Sequence, residues 1–121
     1  MHGHLSWLIP DGYLPEKSNG DLVSHEAVCV LNTGPVDAEI RLTVYFEDRE
    51  PMDGFAVTCK ARRTHHIRLD GLSDEGGNSI PKGVPYAIHL TSTAPVVVQH
   101  SRLDTSQAAL ALFTTMAFPE V

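Results

Sequence analysis

The run AEIRLTVYF, Ala38 to Phe46, limits what this chain can fold into more than any other stretch. Ile40, Leu42, Val44 and Phe46 occupy every second position, with Glu39, Arg41, Thr43 and Tyr45 between them. Side chains of a strand alternate between faces, so this spelling describes a strand buried on one side; a helix would scatter the four apolar residues around its circumference. Other short runs share the pattern. SHEAVCVLN (Ser24 to Asn32) is β-rich and stops at NTGPVD. FAVTCKA carries Phe55, Val57 and Cys59 in phase, and RTHHIRL carries His65, Ile67 and Leu69 in phase. YAIHLTS, PVVVQHSRL and ALALFTTMAF follow as three more strands, the last of which has enough helix formers to read locally as a short helix. Gly- and Pro-rich turns separate these runs, and the loop DGLSDEGGNSIPKGVP breaks any regular element. Short strands at nearly regular spacing with turns between them predict an all-β antiparallel sandwich or barrel.

At 121 residues the chain is expected to form a single domain, residues 1–121, with no repeat or linker dividing it. A domain of this size hides roughly 65% of the surface of its unfolded chain, enough for one core. Several strands are apolar on both faces. Ala27, Cys29 and Leu31 alternate with Val28 and Val30, Val96 and Val98 flank Val97, and Leu110 and Leu112 precede Phe113. A two-layer sandwich buries one face of each strand, so a second copy of the chain is expected to cover the other.

Charge narrows the partners. The formal net charge of -6 argues against a nucleic-acid or anionic-membrane binder, with Lys60, Arg62, Arg63 and Arg68 as the one basic patch. No apolar run approaches the roughly 20 residues that span a bilayer, and LSWLI is too short and insufficiently flanked by basic residues to be a secretory signal. The two cysteines, Cys29 and Cys59, lie in strand-like runs and read as reduced, buried thiols, consistent with a cytoplasmic location.

Seven histidines invite a metal site. His25, His65 and His100 fall in phase with apolar neighbours, and three inward histidines could form a facial site. No strand carries His-x-His and no HExxH occurs, so hydrogen-bonded structural histidine is the reading preferred, with no metal and no cofactor expected. Glu26 beside His25, and Asp104 near His100, could act as acid–base pairs, but no nucleophile elbow, phosphate loop or CxxC accompanies them. Adjacent strand residues also face opposite ways, which separates His25 from Glu26. An enzyme is therefore not expected. Arg62 and Arg63 could grip a phosphate or carboxylate, or pair with neighbouring carboxylates. Arg102 and Asp104, two apart on a strand, share a face and could pair with each other to fix the following turn.

In order along the chain, Trp7 with GYLP (Gly12 to Pro15), SHEAVCVLN, VYFEDREP (Val44 to Pro51), ARRTHHIRL (Ala61 to Leu69) and PVVVQHSRLD with Gln107 resemble the small sensory rhodopsin transducer family over about 110 residues. The resemblance implies a jelly-roll-like sandwich assembling as a homotetramer. It also implies a soluble relay for a membrane photoreceptor or another signalling protein. The sandwich is similar in shape to carbohydrate-binding modules, so a small-molecule module for a sugar or anionic metabolite is the alternative, with a metal-dependent enzyme behind it. Carried over residue by residue, the family's polar signature falls on Trp7, His25, Glu26, Arg62, Arg63, Gln99, His100, Arg102 and Asp104. These positions are expected to line a shared site or a subunit interface. The chain departs from the pattern after Asp104, where TSQ replaces an arginine before the glutamine. It ends at FPEV, which leaves little tail with which to engage a receptor.

Overall fold

The structure, a computed structural model, describes residues 2–121. Eight strands, all paired antiparallel, follow in sequence order: β1 (His4–Tyr13), β2 (His25–Asn32), β3 (Ala38–Phe46), β4 (Met52–Cys59), β5 (Arg63–Arg68), β6 (Pro85–Asp104), β7 (Ala111–Met116) and β8 (Phe118–Glu120). Among the described residues one 3-10 turn, Leu69–Gly71, follows β5. One layer of the sandwich runs β4-β3-β6-β1-β8 and the other runs β5-β2-β6-β7.

The long strand β6 belongs to both layers. Its first half pairs with β3, up to Ser92 opposite Ile40, and its second half with β2 from Val97 onward and with β7, while β1 pairs up to Thr91 and again at Val96 across a register shift. The sequence splits this stretch into two strands, YAIHLTS and PVVVQHSRL, because Pro95 cannot donate to a ladder. The chain stays extended instead, since residues 93–95 fall where one set of partners ends and the other begins. There a missing N–H costs no ladder bond, and strands commonly pass between the layers of a sandwich at such points. Ser92 Oγ donates to Ala94 O at 2.6 Å and Thr93 Oγ1 accepts the Glu39 N–H at 2.9 Å, which hold the crossing locally.

Alternation places the core as expected. Ile40, Leu42 and Val44 of β3 are buried, with Phe55 of β4, Val28 and Val30 of β2, and Ile88, Leu90, Val96 and Val98 of β6. At about 1.5–3 kcal/mol per fully buried large aliphatic or aromatic side chain, this cluster is the main stabilising term. The Gly/Pro-rich loop after β5 is better anchored than its composition suggests. Ile80 is buried in the core, and the Asp74 carboxylate accepts the N–H groups of Gly76 and Asn78.

The second faces of the strands remain open. Val28 and Val30 point into the core, whereas Leu31 is 44% exposed and Cys29 and Val97 are half-buried on the outside of the second layer. Every residue of β7 is exposed, Leu112 at 75%.

Candidate functional site

Glu26 sits on β2 opposite Arg102 of β6, and its side chain is wholly buried. A lone buried carboxylate would be expelled or protonated, but this one is surrounded by donors. The Tyr86 hydroxyl and His100 Nε2 (3.1 Å) reach Oε1, while Arg102 Nε and the Tyr13 backbone N–H (3.0 Å) reach Oε2. Burial pushes the Glu26 carboxyl upward. The bonds from His100, Tyr86, Arg102 and Tyr13 outweigh it, and the group titrates below the ordinary glutamate value. Burial, followed by the Glu26 charge and the bond to it, pushes the Tyr86 phenol well above its ordinary range, so Tyr86 stays a donor.

Local sequence explains how four segments meet. Alternation on β6 sends His100 and Arg102 inward with Val96 and Val98. The pairing of β1 with β6 shifts register between Ile9 and Gly12, which lifts Tyr13 N–H toward the carboxylate. Gly12 is needed there, because a Cβ would lie 2.3 Å from the Tyr86 ring. Phe113 of β7 covers the cluster, 5.1 Å from the Arg102 guanidinium and edge-on to the His100 ring at 6.0 Å. Arg102 Nη2 is buried without a hydrogen-bond partner among the described residues, with Asp11 Oδ1 4.0 Å away.

Beside the cluster lies a cleft of about 380 Å³, formed where the chain leaves the second layer at Met116 and joins the first at Phe118. Ile9, Pro10 and Asp11 of β1, Phe113 and Thr115 of β7, Phe118 and Pro119 of β8, and the buried His100 line it.

Of the residues singled out in the sequence, the fold brings together Glu26, His100 and Arg102. Arg102 donates to Glu26 and not to Asp104; Asp104 instead accepts the Ser106 N–H at 2.8 Å and fixes the turn after β6. Bonds from Ser106 hold the Asp104 carboxyl below its usual range. His25 faces away from Glu26, with Nδ1 2.9 Å from Val23 O. Trp7 is a core residue whose indole N–H donates to Val96 O (3.0 Å) and His4 O (3.2 Å), pinning β1 to β6. Gln99 lies on the outer face of the second layer, beside Cys29, Leu31 and Val97. Arg62 and Arg63 are exposed at the turn into β5. Arg63 pairs with Asn32, six residues and roughly 20 Å along β2 from Glu26. Arg62 holds a left-handed backbone, φ 57. The three in-phase histidines do not converge: His65 Nδ1 lies 3.0 Å from Thr58 O, and no group of three metal-ligating side chains forms among the described residues.

Sequence reasoning missed Tyr86, Asp11 and Phe113. Tyr86 had a signal, being in phase with Ile88 and Leu90, because a buried tyrosine needs a partner for its hydroxyl. A second polar group, Ser6, His89 and Glu120, is not a catalytic relay: the serine hydroxyl (2.7 Å) and the carboxylate (3.2 Å) both approach His89 Nε2. A nucleophilic triad places them on different ring nitrogens.

The family described as Anabaena sensory rhodopsin transducer matches residues 2–119. The chain belongs to that family. Among solved structures, it is similar to the crystal structure of Thermotoga maritima 1070, with 42% identity, a TM-score of 0.89, and coverage of 99% of this chain and 97% of that one. It is similar also to the Anabaena sensory rhodopsin transducer itself, with 41% identity, a TM-score of 0.76, and coverage of 88% and 94%. No curated protein matches the chain. At these identities and TM-scores the chain shares its fold with both structures. No helix among the described residues is long and apolar enough to cross a membrane.

Proposed function

We propose that this chain is a non-catalytic adaptor of the transducer family, working in the cytoplasm as a homotetramer that relays the state of a membrane photoreceptor or another signalling protein. The observation that carries this reading is the open outer face of the second layer. Leu31, Val97, Cys29 and Met116 form an apolar band there, and β7 adds Leu112 beside Leu103. A copy of the same face is its natural cover, because apolar side chains dominate it, with His66 and Gln99 among them, and a two-fold contact sets like against like. The Glu26 cluster fits a binding role as well. Its carboxylate oxygens are already engaged by intramolecular donors, which stiffens the inner side of the layer whose outer side meets a partner. Two free thiols suit a reducing compartment. Co-purification from membranes holding the seven-helix retinal protein of the same source tests the relay. Retention of the receptor that changes between dark and illuminated samples is expected; equal absence in both would refute a photoreceptor partner.

The cleft beside His100 favours a second reading, a small-molecule module. Its volume falls within the range of small-ligand sites and its lining mixes apolar walls with a few polar groups.

A further inference from the structure

At the far end of β2 from Glu26 lies a second buried polar residue. Asn32 closes the strand with no exposed surface. Its Nδ2 donates to Val36 O at 2.9 Å, Cys59 O at 3.1 Å and Lys60 O at 3.3 Å, while its Oδ1 accepts the Gly34 N–H at 3.0 Å. The turn between β2 and β3 and the turn between β4 and β5 are thereby tied to one side chain, and the Ala61 N–H donates across to Asp37 Oδ1 at 2.8 Å. Both turns are fixed within the subunit, so little ordering remains to oppose binding there.

What the corner presents is positive charge. Lys60, Arg62 and Arg63 are exposed, so three of the chain's nine Lys and Arg residues stand within four positions of a protein whose net charge is -6. None of the three forms an ion pair among the described residues, whereas Arg68 nearby is engaged by Asp70. Asp37 offsets one of the three charges, and the corner stays positive. Arg62 holds a left-handed backbone, φ 57, that a glycine would adopt more readily, so the turn alone gives no reason for an arginine there. Val36, 56% exposed, adds an apolar side chain on the adjoining turn. Guarding an open strand edge is the plain use of such charges, since β5 pairs only with β2 among the described residues. That use accounts for Arg63 but not for Lys60 and Arg62 in the turn before the strand, nor for Val36.

We propose that this corner docks an acidic protein segment, one that sets two or more carboxylates against Lys60, Arg62 and Arg63 and an apolar side chain against Val36. The proposal rests on the relay reading above and names the surface by which the signalling partner is held. A corner two turns wide with an apolar residue in it suits a peptide better than a run of phosphates.

Fluorescence anisotropy of a labelled peptide of alternating glutamate and leucine, titrated with full-length protein at low ionic strength, tests the corner. The parent is expected to bind it saturably. Arg62→Gln with Arg63→Gln is expected to weaken binding about tenfold, since two exposed ion pairs are lost, and added salt is expected to shrink the difference. Arg41→Gln with Lys82→Gln removes the same charge from other exposed positions and is expected to leave binding within about twofold of the parent. A parent that does not bind would overturn the proposal. So would equal weakening in the two double variants, because net charge alone would then explain the effect. Labelled oligothymidylate bound more tightly than the peptide through the same arginines would make the corner a nucleic-acid surface and overturn it as well. Retention of the membrane receptor separates this inference from the reading beneath it. The Arg62, Arg63 variant is expected to lose a receptor that the parent retains. If both retain it equally, the relay stands and this docking surface falls. If neither does and the peptide still binds through the arginines, the photoreceptor relay falls and the acidic-segment site stands.

Discussion

Glu26 shows how one residue can organise a site. Its burial would oppose ionisation, yet four donors from β1 and β6 hold it as a carboxylate. Removing one partner of a buried ion pair leaves the other charge uncompensated, at a cost of about 3–5 kcal/mol. Glu26→Gln keeps the shape but strips the charge facing Arg102, and is expected to lose about 3 kcal/mol by urea denaturation at neutral pH. The pH dependence has a definite sign. The folded carboxyl titrates below its ordinary value of 4.5, so the ionised group contributes its full stability above that pH. The contribution shrinks below pH 4.5 and is gone once the pH has fallen through the depressed folded value. The gap between the parent protein and Glu26→Gln is therefore expected to narrow in acid. A gap below about 1 kcal/mol at neutral pH, or one that does not change with pH, would show that the cluster is not organised around an ionised Glu26. Sequence singled out Glu26, His100 and Arg102 but not what joins them. Parity places all three on inner faces, whereas the partners Tyr86 and Tyr13 reach the carboxylate through long-range pairing and a register shift in β1 that no local pattern encodes.

At the scale of elements, alternation in β3 and β4 was legible because each strand buries one face against a continuous core. β6 was not, because Thr93, Ala94 and Pro95 spell a break in local terms and become a crossing only when the ladders on either side are known. The same holds at the other end of the chain, where β7 and β8 read as one run but belong to different layers. That division creates the cleft. Backbone protection should follow the pairing, since edge elements open with less free energy than central ones. In native-state hydrogen exchange, Val28, Val30 and Val98, central in the second layer, are expected to exchange slowest. Residues 111–116 of β7, paired on one side and wholly exposed, are expected to exchange at least about a hundredfold faster in the isolated subunit. Equal protection of β7 and β2 would mean that the β7 edge is covered in solution.

The whole molecule presents two unlike surfaces. The outer face of the first layer alternates polar groups such as Glu39, Arg41 and Thr43, and suits water. The outer face of the second layer carries Leu31, Val97, Met116 and Leu112, which a single subunit leaves open. The apolar second face was legible in the sequence, because β2 and β6 are apolar at consecutive positions. The distinction between the two layers was not, since it depends on which half of β6 pairs with which strand. Assembly through that face is tested most directly by native mass spectrometry of the parent protein beside Leu31→Asp with Val97→Asp. Leu31 is exposed and Val97 is half-buried on the same layer, and circular dichroism is expected to report the same sandwich in each. A tetramer is expected for the parent and a smaller species for the double variant. A parent that remains monomeric at micromolar concentration, or a double variant that stays tetrameric, would contradict it.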